Sequence, residues 1–166
     1  MLAKIKRFLI KDFLPFVLIL IIIYSIINFW RQPTLPQNPV WQLQDYQGQT
    51  INLQQHSHNQ AVLIYFWGSW CHVCAYSTPK VQQVAQSSPV VSIAVQSGSN
   101  RELAQYLREH RIGFPTVNDE QGELFALWQG KVTPSYVILK DGQVAQSFVG
   151  LQPVWLLKLR LWWAGL

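Results

Sequence analysis

Two cysteines, Cys71 and Cys74, are the only ones in 166 residues, and they stand three positions apart. A disulfide across so small a loop cannot staple a fold, because the entropy it removes grows with loop length. Two thiols also fall short of the four ligands of a structural zinc site. Reversible thiol–disulfide chemistry is the leading use for such a pair. The local sequence Phe66-Trp-Gly-Ser-Trp-Cys-His-Val-Cys74 reads as the end of an apolar strand, a Gly-Ser turn, and a helix opened by the cysteines. A helix N-terminus carries free N–H groups and roughly half a positive charge, and both favour a thiolate at Cys71. Cys74, one turn further in, is close enough to attack a mixed disulfide and resolve it.

His72 follows the nucleophile directly. Protonated, it favours the thiolate further; the alternative is a solvated turn residue with no special role. The CxxC pair has a rival reading as half of a metal site completed by His56, His58, His72 or His110, yet a His-x-His pair matches no familiar zinc spacing. Ser97, Ser99 and His110 lack the strand–turn–helix context of a hydrolase nucleophile.

Around this centre the pattern alternates strands and helices. Trp41–Asp45 and Thr50–Leu53 flank a Gly-containing turn and predict a hairpin. The unbroken apolar run 61–67 predicts a strand buried on both faces, and 90–95 a second. Helices are expected from about Cys71 to Gln86, from an Asn100 cap to His110, and briefly over 123–129. Residues 135–139, the Asp141-Gly142 turn and 144–149 read as a further hairpin, and Pro153 opens a last helix over 154–163. The order is that of an α/β domain with one central mixed sheet.

Ahead of this domain, residues 13–30 carry no charged side chain. As a helix they span about 27 Å, close to the hydrocarbon thickness of a bilayer. Lys4, Lys6, Arg7 and Lys11 precede the run and Arg31 follows it, so the N-terminus is expected in the cytoplasm and the domain outside it. No small-residue cleavage site follows the run, which favours an uncleaved anchor over a signal peptide. The organisation expected is a basic N-terminus over 1–12, a transmembrane anchor over 13–30, a Pro-rich linker over 31–39 lifting the domain off the membrane, and a domain over 40–166. The formal charge is +5, but the domain itself is nearly neutral and has no basic run suited to nucleic acid.

The segment Trp70-Cys71-His72-Val73-Cys74 resembles the signature of the thioredoxin superfamily, and the chain over 40–164 resembles its membrane-tethered TlpA-like branch. Pro79 matches the proline inside that family's active-site helix. Thr133-Pro134, just before a strand, matches its cis-proline. The anchor and the run Tyr65 to Cys71 look most similar to the suppressor-of-copper-sensitivity D type. The resemblance implies a thioredoxin fold with an N-terminal hairpin extension, and a periplasmic thiol–disulfide oxidoreductase of the inner membrane. Its catalytic pair would be Cys71 and Cys74, with Trp70, His72, Thr133 and Pro134 contacting partner proteins and Pro79 structural. It implies no cofactor. Its partners would be protein thiols and disulfides and a transmembrane electron donor, with electron flow in the reducing direction and a disulfide-forming oxidase as the alternative.

Two positions depart from the pattern. Tyr65 stands where thioredoxins carry a buried acid that helps move the second cysteine's proton, so water, Glu120 or Glu123 would have to substitute. Ser135 stands where haem-maturation relatives usually place Glu, which argues against a dedicated cytochrome c partner. Outside the enzyme class, a metal-delivery module and an inert membrane adaptor are the rivals. Trp155, Trp162 and Trp163 make the last helix apolar nearly all round. That pattern favours packing on the sheet, with contact to a membrane or a membrane partner as the alternative.

Overall fold

The computed structural model describes residues 14–166. Phe13, the basic residues Lys4, Lys6, Arg7 and Lys11, and the expected segment 1–12 lie outside the described residues. The chain divides into two compact units, residues 1–31 and 32–166. The described part of the first is one helix, α1 (Leu14–Arg31), with no buried residue. It is long and apolar enough to cross a membrane.

The second unit opens with a small antiparallel hairpin, β1 (Gln42–Gln44) and β2 (Thr50–Asn52). There follow α2 (Leu53–Asn59), β3 (Val62–Trp67), α3 (His72–Ala85), β4 (Val90–Val95), α4 (Asn100–Glu109), β5 (Thr116–Asp119), α5 (Glu123–Leu127), β6 (Ser135–Lys140), β7 (Gln143–Val149) and α6 (Val154–Ala164). The five-stranded sheet runs β5-β4-β3-β6-β7. β3, β4 and β5 are parallel, and β6 and β7 join antiparallel.

The unbroken apolar run of β3 serves two cores, because successive side chains leave a strand on opposite faces. Leu63, Tyr65 and Trp67 enter one core with Val81, Val84, Leu103, Leu107, Leu157 and Leu161 from α3, α4 and α6. Val62, Ile64 and Phe66 enter the other with Leu43, Ile51, Leu53 and Trp128. The N-terminal hairpin thus covers a sheet face that three helices leave open.

Several elements differ from expectation. Leu53, expected to end the hairpin strand, instead opens α2, which also holds His56 and His58 and is capped by Asn52, whose side chain accepts from the Gln55 N–H at 3.0 Å. β5 was hidden by its brevity and its place after Pro115; it is an edge strand paired only with β4. The cap of α4 is Ser99, one residue before the expected Asn100. Ser99 and Glu102 form a reciprocal capping box. Within the segment 31–39, expected as a Pro-rich linker, Pro33 and Pro36 are buried. The Thr34 N–H donates to the Trp128 carbonyl at 2.8 Å, and Ser147 Oγ donates to the Pro33 carbonyl at 2.6 Å. Prolines lack the N–H that burial would orphan, so such a segment can lie on a domain at little cost. Finally, Trp155, Trp162 and Trp163, expected against the sheet, are 67%, 61% and 68% exposed, and Leu157 and Leu161 take the inward positions.

Candidate redox site

β3 ends at Trp67, and the chain turns through Gly68, Ser69 and Trp70 into α3. The turn is pinned from β4. The Ser69 N–H donates to Ser97 Oγ at 3.0 Å, and Trp70 Nε1 donates to the Val95 carbonyl at 2.9 Å. Gly68 is required here, because a Cβ on it would sit 2.6 Å from Trp70 Nε1 and 2.7 Å from the indole Cε2. Trp70 nevertheless remains 59% exposed.

Cys71 is the N-cap of α3, and its sulfur accepts from the Cys74 N–H at 3.2 Å. The position usually taken by a Ser or Asp oxygen is held here by sulfur. The same N–H meets the Cys71 carbonyl at 3.0 Å, and the Cys71 N–H donates to the Gly68 carbonyl at 3.0 Å. Cys71 and Cys74 are bonded to each other, with Cα atoms 5.2 Å apart. Cys71 keeps 8% of its surface and Cys74 only 1%. The pair is asymmetric: one sulfur at the helix mouth, one inside the core.

Thr133 and Pro134 arrive from the far side of the sequence. Ser135, the first residue of β6, pairs antiparallel with Phe66 near the end of β3. That register carries the residues before Ser135 to the redox turn, and the Thr133 carbonyl oxygen lies 3.7 Å from Cys71 Sγ. The Thr133–Pro134 peptide is cis, as the resemblance implies. Pro79 lies inside α3, which continues to Ala85.

Exposed apolar side chains surround the mouth. Besides Trp70, Val73 is 43% and Tyr76 62% exposed. The His72 ring meets Tyr76 edge-on at 5.9 Å. Tyr76 and Val73 were not singled out by sequence reasoning, although positions two and five beyond a helix-capping cysteine must share its exposed first turns.

Behind Cys74 the polar groups are uncharged. Thr78 Oγ1 donates to the Cys74 carbonyl at 2.9 Å and lies 3.0 Å from the Tyr65 hydroxyl. Tyr65 stacks on Tyr136, its partner across the strand pair, at 5.2 Å between ring centroids. Burial first, then the neighbouring Tyr136, holds the Tyr65 phenol well above its ordinary range. Burial pushes Tyr136 up to about 12, against a smaller opposing effect of the Ser77 hydroxyl. Both phenols are neutral at any physiological pH. Glu120 and Glu123 are exposed, at the loop leading into α5 and at its first residue. The acid that thioredoxins bury at this place is therefore replaced by a hydroxyl network, and neither glutamate joins it. The four histidines are dispersed: His56 and His58 on α2, His72 on α3, His110 ending α4. Among the described residues no three His, Cys, Asp or Glu side chains gather as a metal site.

Three parallel strands continued by an antiparallel hairpin, with a CxxC pair opening the helix after the central strand, define a thioredoxin-like protein. The chain belongs to the AhpC/TSA family, whose model matches residues 36–147. It is 40% identical to a thioredoxin-like protein of Haemophilus influenzae, over 97% of both chains. It is 24% identical to the sporulation thiol-disulfide oxidoreductase A of Bacillus subtilis, covering 72% of this chain and 75% of that one. Among solved structures, StoA from Bacillus subtilis superposes with a TM-score of 0.66 at 21% identity, over 75% of this chain and 98% of that one.

Proposed function

We propose that this protein is a membrane-tethered thiol–disulfide oxidoreductase that exchanges disulfides with partner proteins outside the cytoplasm. The observation that carries this reading is the Cys71 sulfur seated as the acceptor at the N-terminus of α3. A hydrogen bond and a helix dipole that favour negative charge are aimed at the more exposed cysteine, and the second sulfur waits behind it. In the reducing direction, the Cys71 thiolate attacks one sulfur of a partner disulfide. The S–S bond breaks and the partner's other sulfur leaves as a thiolate that takes up a proton. Cys74 then loses its proton and attacks Cys71 Sγ, releasing the partner's second thiol and closing the Cys71–Cys74 bond. Two electrons pass from the pair to the partner.

Thr133 and Pro134 present backbone beside Cys71, suited to an extended partner segment, and Trp70, Val73, Tyr76 and His72 form the rim it crosses. Residues 13–30 act as the anchor, with the N-terminus cytoplasmic by its basic flank. The tethered position supports a transmembrane electron donor that keeps the pair as a dithiol. The finer likeness to the suppressor-of-copper-sensitivity D type rests on the anchor and the run Tyr65 to Cys71. The thiolate-favouring geometry of Cys71 also stabilises the reduced form and so makes the disulfide more oxidising, which favours a second reading as a disulfide-forming oxidase. Insulin reduction by the native chain, abolished in Cys71→Ser, tests the activity. Acid quenching of cells followed by alkylation tests direction. A largely thiol resident state supports the reductase, and a resident disulfide establishes the oxidase.

A further inference from the structure

A helix on the surface of a soluble domain buries one stripe and turns polar side chains outward. α6 does not. Leu157 and Leu161 are buried against the sheet, while Trp155, Leu159, Trp162, Trp163 and Leu166 stand 67%, 46%, 61%, 68% and 85% exposed. The spacing of four, three and one residues sets Trp155, Leu159, Trp162 and Trp163 on one helical face, and Leu166 follows just beyond the helix end. The helix is therefore apolar on two opposite sides, and only one has a partner within the domain.

The charged side chains of α6 itself are basic. Lys158 is exposed beside the stripe, and Arg160 reaches inward over the Phe148 ring at 4.4 Å. No Asp or Glu follows Asp141. Next to Trp162, a groove of about 400 Å³ is lined by Lys140 and Lys158 among others; Lys140 itself is 3.3 Å from Asp141 Oδ1. Tryptophan, leucine and lysine together are the composition of interfacial helices, with the rings at headgroup level and the cations on anionic phosphates.

The tether is the independent observation. Pro33, two positions after the last residue of α1, is already bound to β7 through Ser147. Two extended residues reach at most about 7 Å, so the link between Arg31 and the first residue bound to the sheet is short. On the same edge strand, Gln146 accepts from Arg160 Nη1 of α6 at 2.8 Å. The chain's point of entry and the apolar helix are thus fastened to neighbouring residues of β7.

We infer that the outer face of α6 lies in the interface of an anionic phospholipid bilayer, a second membrane contact besides α1. It rests on the reading of α1 as a membrane anchor. The effect is to restrict the rotation of the domain about its tether, so that the redox mouth is presented at a set angle to the membrane.

The test uses the full chain, one copy per nanodisc of phosphatidylethanolamine and phosphatidylglycerol. Tryptophan emission is compared between discs with brominated and ordinary acyl chains. The native chain should be quenched strongly, and the variant W155Q/W162Q/W163Q should lose most of that quenching, leaving the share due to Trp30 at the end of α1. Lys158→Glu, which removes no apolar contact, should reduce quenching in these discs and leave it unchanged in discs of phosphatidylcholine. Insulin reduction by both variants should match the native rate, which shows that they fold. Quenching unchanged by the triple substitution overturns the inference. So does amide protection of α6 that appears only with two copies per disc, which would assign the face to a second copy. Loss of the Trp30 share identifies failure of the anchor reading instead, and loss of insulin reduction with quenching intact touches only the enzymatic one.

Discussion

At the scale of single residues, the site turns on differences in exposure and charge. Cys71 sits at the mouth of α3 as its cap, and Cys74 is sealed behind it. In the reduced protein, Cys71 should therefore be alkylated much faster than Cys74. Cys74→Ser should accumulate mixed disulfides with partner proteins, while Cys71→Ser should not. Non-reducing gels of the two variants check this; trapping by the Cys71 variant would reverse the roles. Tyr65 poses a different question, since it occupies the place of a buried acid. Its phenol is held far above the pH of any assay by burial, so it is not a base. Tyr65→Phe should leave the pH profile of insulin reduction unshifted. It should also cost about 1 kcal/mol of stability, because one buried hydrogen bond is lost while Thr78 keeps the Cys74 carbonyl. An acid-limb shift in the variant would show that the phenol takes part in proton transfer.

At the scale of elements, positions are set by caps and register. The redox turn is tied to the end of β4 through Ser97 and Val95. α4 follows that same loop, and its start is held by the Ser99–Glu102 box. Ser99→Ala should lower stability by about 1 kcal/mol, readable as a lower midpoint in denaturant. Hydrogen bonds from the Ser99 backbone and hydroxyl hold the Glu102 carboxyl below its ordinary range. A depressed carboxylate stabilises the fold above its unfolded-state value and loses that contribution as the pH falls through its folded value. The gap in thermal midpoint between the native chain and Glu102→Gln should therefore be present at neutral pH and close on acidification, below the usual carboxylate range. A gap that persists in acid would mean that packing, not charge, carries the effect.

At the scale of the whole molecule, the chain joins one α/β domain to one apolar helix. With the basic residues on its N-terminal side, a reporter fused after Leu166 should be active only when it is of a kind that works outside the cytoplasm. Activity of a cytoplasm-dependent reporter at that position would reverse the topology. The orientation matters chemically, because protein disulfides persist in oxidising compartments.

The redox pair, the helix it opens and the buried central strand were legible in the sequence because each depends on neighbours within a few residues. Local spacing decides whether two sulfurs can meet, and an apolar run of strand length needs cover on both faces wherever it lies. The Thr133-Pro134 position was legible through resemblance. β5 and α2 were not. One is a short edge strand defined by its pairing, and the other a seven-residue polar helix whose apolar anchor, Leu53, is visible only once the sheet face above it exists. The hydroxyl contacts behind Cys74 likewise required the packing of α3 on β3, which sets Thr78 against Tyr65. Composition could say that the last helix was apolar all round, but not which side the sheet would take. Only the packing of Leu157 and Leu161 decided that, and it left the three tryptophans facing outward, because a helix of this size can turn only one of its faces to a sheet.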